Sequence, residues 1–512
     1  MHKSYWDQIS LPHFSTSDKA EHFDVVVIGG GITGLCAAYF LKRAGKKVAV
    51  LERGHIGSGD TYVTTAHLTY VTDMRLQKLV QTFGDDATRM IWRGGEVAIL
   101  ALEKLVNELK IRCQFERVPG FLHAAPDNEN DETKDLQEEA HLAKELGFDA
   151  EYVDAVPGLH RPGIEFLRQA RFHPLKFLAG LATAIYGDGC SIYEQAEVSD
   201  VIDDPLAAIC NGHRIECDYV VIATHVPLMG KSGFVGATML QSRLKPRTTY
   251  AIDARISHGA FPDALFWDTS DPYNYLRINQ GTKYDYVIFG GEDHKTGQDK
   301  NTTERYERLE ARLRELVPDL RNDRRWSGQV IETNDGLPLI GEASERQFVA
   351  TGFAGNGMTF GCLSGLMACD AALGRENPWK KMFAVDRTNH LGEILDIVRE
   401  NVDYPFYLVT DRLAPGEAKT PDDIGPREGK VLLIDGQRIA CSRDAEGHLS
   451  ARSAVCTHMG CVVHWNQPEA TWDCPCHGSR FKPNGEVLSG PAESALKEMS
   501  LEELHSHSHT HD

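Results

Sequence analysis

The stretch Cys456–Phe481, CTHMGCVVHWNQPEATWDCPCHGSRF, holds four of the chain's twelve cysteines together with three histidines. Cys456-x-His458 and Cys474-x-x-His477 each set a thiol and an imidazole close together in sequence. Two thiolates and two imidazoles can hold zinc tetrahedrally. They can equally hold two irons, with the thiolates on one and the imidazoles on the other. Zinc loops usually offer a Cys pair and then a His pair, whereas each loop here offers one of each, which favours the two-iron arrangement. The remaining cysteines, Cys36, Cys113, Cys190, Cys210, Cys217, Cys362, Cys369 and Cys441, are scattered and read as small buried hydrophobes of a reducing compartment.

A second chemical motif lies far upstream. Residues 25–34 read VVVIGGGITG, so Gly29-x-Gly31-x-x-Gly34 follows a β-branched run. The first glycine permits a tight turn, the second lets a pyrophosphate approach the backbone, and the third lets the helix pack on the sheet. The diphosphate then rests on a helix N-terminus, where free N–H groups favour an anion. Glu52 ends the next apolar run, VAVLER, where a carboxylate can accept bonds from ribose hydroxyls.

The elements that must position these motifs follow from periodicity. Strands are expected at DVVVI (24–28) and VAVLER (48–53), joined by a helix through LCAAYFLKRAGKK, which makes a βαβ unit. The interval 75–150 reads as mostly helical and charged. DYVVIAT (218–224), YAID and YDYVIFGGE read as strands, the last two in a mixed sheet, and 347–371 as a strand, a Gly-rich turn and a helix. LAPGEAKTPDDIGPREG has the Pro, Gly and charge density of a linker, placed at 381–420. Short strands with close turns follow from Lys430, with Asp435-Gly436 as a hairpin signal. The end, HSHSHTHD (505–512), belongs to a His-rich tail, 504–512, read as disordered.

A chain of 512 residues is expected to form about three domains. The N-terminus, MHKSYWDQISLPHFS, lacks the apolar region of a secretory signal, and no run is long and apolar enough to span a membrane. A cytoplasmic protein is therefore expected. The net charge of −20 argues against a nucleic-acid partner.

The opening VVVIGGGITGLCAAYFLKRAGKKVAVLERGHIGSGDT resembles that of the FAD-dependent D-amino-acid-oxidase and glycine-oxidase superfamily. CDYVVIAT (217–224), ETNDGLPLIGE (332–342) and ATGFAGNGMTFG (350–361) resemble its later flavin-binding stretches, so the resemblance spans about residues 23–380. It implies FAD in a discontinuous Rossmann-like domain, an α/β fold, with a mixed-sheet substrate domain, α+β, covering the ring. The residues it implies for FAD are Gly29, Gly31, Gly34, Glu52, Arg53, Thr61, Thr64, Thr65, Val198, Gly357, Met358 and Thr359. N–H groups at Gly355, Gly357, Met358 and Thr359 precede a helix and are suited to the flavin edge that becomes negative on reduction. Some relatives attach flavin through a His in an S-G-T-T-W-H loop. Here Ser58-Gly59-Asp60-Thr61-Tyr62-Val63 puts Val63 at that place, so dissociable FAD is expected, with nearby His67 structural.

The C-terminal clip resembles the Rieske [2Fe–2S] family over about residues 421–503, supported by WDCPCHGSRF and Gly490-Pro491, which implies a small all-β domain. By that match Cys456 and Cys474 bind one iron and His458 and His477 the other. Cys461 and Cys476 match positions that form a loop-to-loop disulfide in respiratory and photosynthetic members. Ser479 matches a hydroxyl that donates to a cluster sulfur, and Phe481 stands where high-potential members place Tyr, which implies a lower potential. His464 falls outside the ligand pattern.

Together the two resemblances imply an enzyme that oxidises an amino acid or secondary amine by hydride transfer to flavin and passes electrons to the cluster. The alternatives are an electron-transfer module without a small substrate, or a redox sensor. No catalytic residue is named by the sequence. Tyr250, Arg277 and His294 are candidates for the pocket, with Arg247 and Tyr275 beside them; an Arg fork would suit a substrate carboxylate. A mononuclear-iron oxygenase is disfavoured because no two-His, one-carboxylate set is apparent.

Overall fold

A computed structural model describes residues 3–16, 21–126, 132–228, 240–318, 320–387, 407, 410–412 and 414–500. The run VVVI lies at the centre of the first sheet. Strand His22–Ile28 pairs in parallel with Val48–Leu51 on one side and His213–Ile222 on the other. Both faces are covered, so Val26 and Val27 are fully buried; a continuous apolar run is what a doubly covered parallel strand needs. Gln347–Thr351 and Ser191–Tyr193 extend this sheet in parallel, and Leu339–Ser344 closes one edge antiparallel. Helices Ile32–Arg43 and Gly357–Ala372 run from Gly-rich turns and pack on one another.

A second, mixed sheet is built around Leu244–Ser257, which pairs antiparallel with Tyr284–Lys295 and Arg321–Thr333. Successive side chains of a strand point to opposite faces. On one face Tyr250, Ile252, Ala254 and Ile256 pack beneath helix Thr302–Leu316 through Tyr306, Leu309 and Leu313. From the other face Ala251, Ile288 and Trp326 join the core shared with the nucleotide-binding half. The sheet is therefore a wall with two differently occupied sides.

The C-terminal part is all β. Gly429–Ile434, Gln437–Arg443 and Leu449–Ser453 form one antiparallel sheet, and four short strands between His464 and Ser489 form another. Asp435 and Gly436 both take positive φ, 48° and 76°, the conformation of a two-residue type I′ hairpin. Ala418 already pairs with Leu432, ahead of the first of these strands.

The expectation of a mostly helical interval at 75–150 holds, with one strand added. The interval 75–150 contains helices Leu76–Phe83, Asp85–Leu109 and Thr133–Glu145, but also strand Glu116–His123. Its partners Gly163–Arg171 and Leu265–Asp268 are remote in sequence, and such pairing leaves little local periodicity to detect. Most of the linker and all of the His-rich tail lie outside the described residues. No helix among the described residues is long and apolar enough to cross a membrane.

Candidate functional site: a nucleotide cradle and a cluster clip on two sides of one sheet

At the N-terminal cradle Gly29 has φ 109°, and a Cβ there would stand 2.4 Å from the Ala223 carbonyl oxygen. A Cβ on Gly34 would stand 1.9 Å from the oxygen of Gly29. The turn thus closes only with glycine at both places. Helix Ile32–Arg43 begins without a side-chain cap or an acidic residue in its first turn, leaving its N-terminus open to an anion. Glu52 accepts from Gly30 N (2.7 Å) and Gly54 N (2.7 Å), while burial raises its carboxyl above the ordinary range. Thr61 Oγ1 accepts from Ile32 N, and Val198 begins a strand close behind the Glu52–Ala196 backbone bond. Arg53 instead donates to the Leu488 carbonyl of the C-terminal part.

The closing loop supplies a second helix start. Gly357–Ala372 has no side-chain cap, Met358 and Thr359 are buried in its first turn, and the Thr359 hydroxyl is buried with no hydrogen-bond partner. A buried unpaired hydroxyl at an open helix N-terminus is what a polar ligand would satisfy. These features fit a bound FAD whose negative edge meets the N–H groups of this turn.

Between cradle and sheet lies segment Thr64–Ala66. Trp6 donates to the Thr64 carbonyl (2.6 Å), and the fully buried Trp326 donates to the Val63 carbonyl (2.8 Å). Thr64 Oγ1 accepts from Ala66 N, and Thr65 Oγ1 meets His67 Nδ1. Arg277, 1% exposed, spends its guanidinium on the carbonyls of Thr65, Ala66 and Phe172 and on Asn279. The expectation of a free fork for a substrate carboxylate is therefore corrected: Arg277 braces the cradle loop. Burial, with Arg277 adding, lowers His67 to about 3, so its ring is a neutral structural group. Arg277→Met should lower stability by about 3 kcal/mol or more, because three buried carbonyls lose their donor, and the drop in urea midpoint should be at least as large in FAD-loaded as in FAD-free protein, because a loosened cradle also binds FAD more weakly.

The side of the sheet that faces the nucleotide cradle carries residues that the sequence did not single out. Asp73 accepts from Gly355 N (2.6 Å) and from Tyr273. Asp293 bonds Thr249, whose hydroxyl also meets Tyr275 at 3.0 Å. Thr249 faces this side by alternation with Ala251, and an extra residue in the Gly291–His294 stretch, opposite Thr248–Tyr250, turns Asp293 to the same side, a use of bulges common beside functional sites. Arg247 lies here too, paired with Glu332 at 2.7 Å. Burial raises Asp293 to about 7, with the neighbouring Glu332 carboxylate adding. By contrast, Tyr250 and His294 point to the opposite side. Their hydroxyl and Nε2 meet at 3.0 Å beneath Tyr306, facing the C-terminal part. They do not line the pocket with Tyr275, because strand alternation puts neighbouring residues on opposite faces.

In the C-terminal clip, the Cys456 and Cys474 side chains are hydrogen-bonded to each other, and the His458 and His477 rings lie 4.9 Å apart at 90°. Among the described residues, these four do not converge within 4.8 Å as one metal-holding group. Two pairs rather than one tetrahedron suit two irons better than a single zinc. His458 Nδ1 is buried without a hydrogen bond, as a nitrogen kept for a metal would be. Cys461 and Cys476 are joined by a disulfide that ties the two loops together. Ser479 is fully buried, its hydroxyl hydrogen-bonded to Cys456 and accepting from Ala492 N. Phe481 packs in the small core with Trp472. His464 bonds Gly297 O and Asp411, apart from the clip.

The clip is seated on the far side of the sheet wall. Gln329 donates to Gly478 O (2.7 Å), Gln298 to Pro475 O (3.0 Å), and Tyr306 to Glu469 (2.6 Å). Gly297 and Gly478 have φ 78° and 70°, and a Cβ on either would stand within 2.6 Å of the opposite part, at Cys474 or Pro246. Arg480, paired with Asp473 and close to Ser327, is buried in the same seam.

A dinucleotide cradle with a mixed-sheet wall and a thiolate–imidazole clip define a flavin oxidoreductase joined to an iron–sulfur module. Comparison with known proteins agrees. Residues 24–371 match the FAD dependent oxidoreductase family and residues 416–500 the Rieske [2Fe-2S] domain. The chain is 31% identical to the Rieske 2Fe-2S iron-sulfur protein YhfW of Bacillus subtilis, over 98% of each chain. It is 24% identical to gamma-glutamylputrescine oxidoreductase of Escherichia coli, covering 70% of this chain and 86% of that one. Glycine oxidase from Geobacillus kaustophilus has a similar fold, with TM-score 0.58 and 21% identity over 72% of this chain and 99% of that one. The chain belongs to the FAD dependent oxidoreductase family and carries a C-terminal Rieske domain. It binds FAD and a [2Fe–2S] cluster, and it is an FAD-dependent oxidoreductase.

Proposed function

We propose that the protein oxidises an amine and that the electrons leave through the cluster. FAD held by the Gly29–Gly34 turn and the Gly357 helix start would supply a hydride acceptor for the carbon next to nitrogen and, once reduced, a source of single electrons for a one-electron centre. The observation that carries this reading is the strand segment Trp326–Gln329. Trp326 and Gly328 meet Val63 of the cradle loop, while Ser327 and Gln329 meet the clip. One strand thus touches both cofactor sites on its two faces. Fusion also keeps donor and acceptor at high effective concentration.

The chain's residues have separable tasks. The turn at Gly357 presents N–H groups to the flavin edge, and the Trp6 and Arg277 contacts fix the loop beneath it. Asp73, Tyr273, Tyr275 and Asp293 line the substrate side and favour a cationic amine over a simple carboxylate. Asp293 is placed to hold the ammonium and take its proton. The amine-linked names of the relatives, gamma-glutamylputrescine oxidoreductase and glycine oxidase, support the substrate class.

Asp293 is neutral below about 7 and anionic above it. Amine kcat/KM is therefore expected to rise with pH through that value. Asp293→Asn should remove this limb and lower kcat/KM by about 30-fold, equivalent to ~2 kcal/mol for one partner of a desolvated charge pair. A direct test is anaerobic bleaching of the flavin by a panel of amines and amino acids. Bleaching by a cationic amine supports the reading; bleaching only by a reduced protein or by nothing in the panel contradicts it.

A further inference from the structure

Gln241 belongs to the FAD-binding family region, yet its side chain reaches the clip. It is 7% exposed. Its amide Nε2 donates to the Pro227 carbonyl at 2.9 Å, and its Oε1 lies 3.2 Å from His458 Nε2. The Pro227 oxygen can only accept, so it fixes which end of the amide faces the histidine. Gln241 Oε1 can likewise only accept. His458 must therefore carry its hydrogen on Nε2, which leaves the Nδ1 lone pair for a metal. Nδ1 is the atom found buried without a hydrogen bond.

We infer that Gln241 is a positioning residue for the cluster, supplied by the flavin half of the chain. It selects the tautomer and ring orientation of His458 and makes the imidazole a stronger donor. This rests on His458 being a cluster ligand. The partner of a ligating histidine's second nitrogen commonly fixes its tautomer and raises its basicity. A more basic ligand stabilises the oxidised cluster over the reduced one, so Gln241 lowers the reduction potential. The iron–sulfur site is thus completed only when its domain is seated on the first half, and a detached C-terminal domain would lack this contact.

The test is an EPR-monitored redox titration of the full-length, iron-replete protein at one pH. Gln241→Leu removes the acceptor and should raise the midpoint potential. A tenfold change in the cluster's reduction equilibrium is the expected scale, about 59 mV for one electron. Gln241→Glu strengthens the acceptor and should lower the potential, while amine bleaching of the flavin stays within twofold of the parent in both variants. Opposite shifts in the two variants are what a merely structural role would not produce. An unchanged potential in either variant, or shifts of the same sign, would overturn the inference. If Gln241→Leu loads no cluster, the sign of the Gln241→Glu shift decides alone. Absence of a mixed thiolate–imidazole EPR signal in the parent protein is a different failure, since it removes His458 as a ligand.

Discussion

Cys456→Ser is expected to strip the iron–sulfur centre while leaving the flavin in place. The thiols of Cys456 and Cys474 already meet, and both are buried at 2% and 1% exposure. A hydroxyl there offers neither the charge nor the softness that iron–sulfur bonding needs. Acid-labile sulfide should disappear, and amine-dependent reduction of a one-electron acceptor should fall by about 100-fold or more, beyond the usual loss from outer-sphere changes alone. Bleaching of the flavin by amine should persist, because the cradle and the pocket lie on the other side of the sheet. A variant that kept full one-electron activity without the cluster would show that electrons leave the flavin by another route.

Gly34→Ala should have the opposite effect, removing the flavin and sparing the cluster. The added methyl would stand 1.9 Å from the Gly29 carbonyl oxygen, with the Gly29 carbonyl carbon at 3.1 Å. Neither is the end of a flexible side chain, so the turn itself must open. Overpacking of this kind costs about 1–3 kcal/mol, and here the strain falls on the loop that must cradle the diphosphate. Purified variant should be colourless in its flavin bands, with iron and sulfide retained. If it binds FAD like the parent, the helix entry is not where the diphosphate rests.

Local signals carried the two ends of the site. The cradle is legible because turn, helix start and strand follow one another within Ile28–Leu51, and each demands a particular residue type. The clip is legible because metal ligands must be Cys and His at short spacing. The pocket between them was not legible. Asp73, Thr249 and Asp293 come from three separate segments, and Asp293 reaches the side of Thr249 only through a bulge in its strand that leaves no pattern of its own. Strand alternation explains why Tyr250 and His294 were drawn to the wrong side: a one-residue difference in facing exchanges pocket for seam. The charge of Arg277 suggests a substrate fork, but its role is set by the carbonyls of a loop more than two hundred residues away in sequence, the Arg277–Ala66 separation being 211. Gln241 and Gln329 are ordinary residues made important only by what the C-terminal part places against them.

Electrons taken from an amine are proposed to cross the sheet wall to the cluster. Rapid freeze-quench EPR, after anaerobic mixing of the fully oxidised protein with a flavin-bleaching amine, tests it most directly. The reduced-cluster signal is expected to grow in as the flavin signal evolves, without added mediator and independently of protein concentration. A flavin that is fully bleached while the cluster stays oxidised and EPR-silent would contradict it.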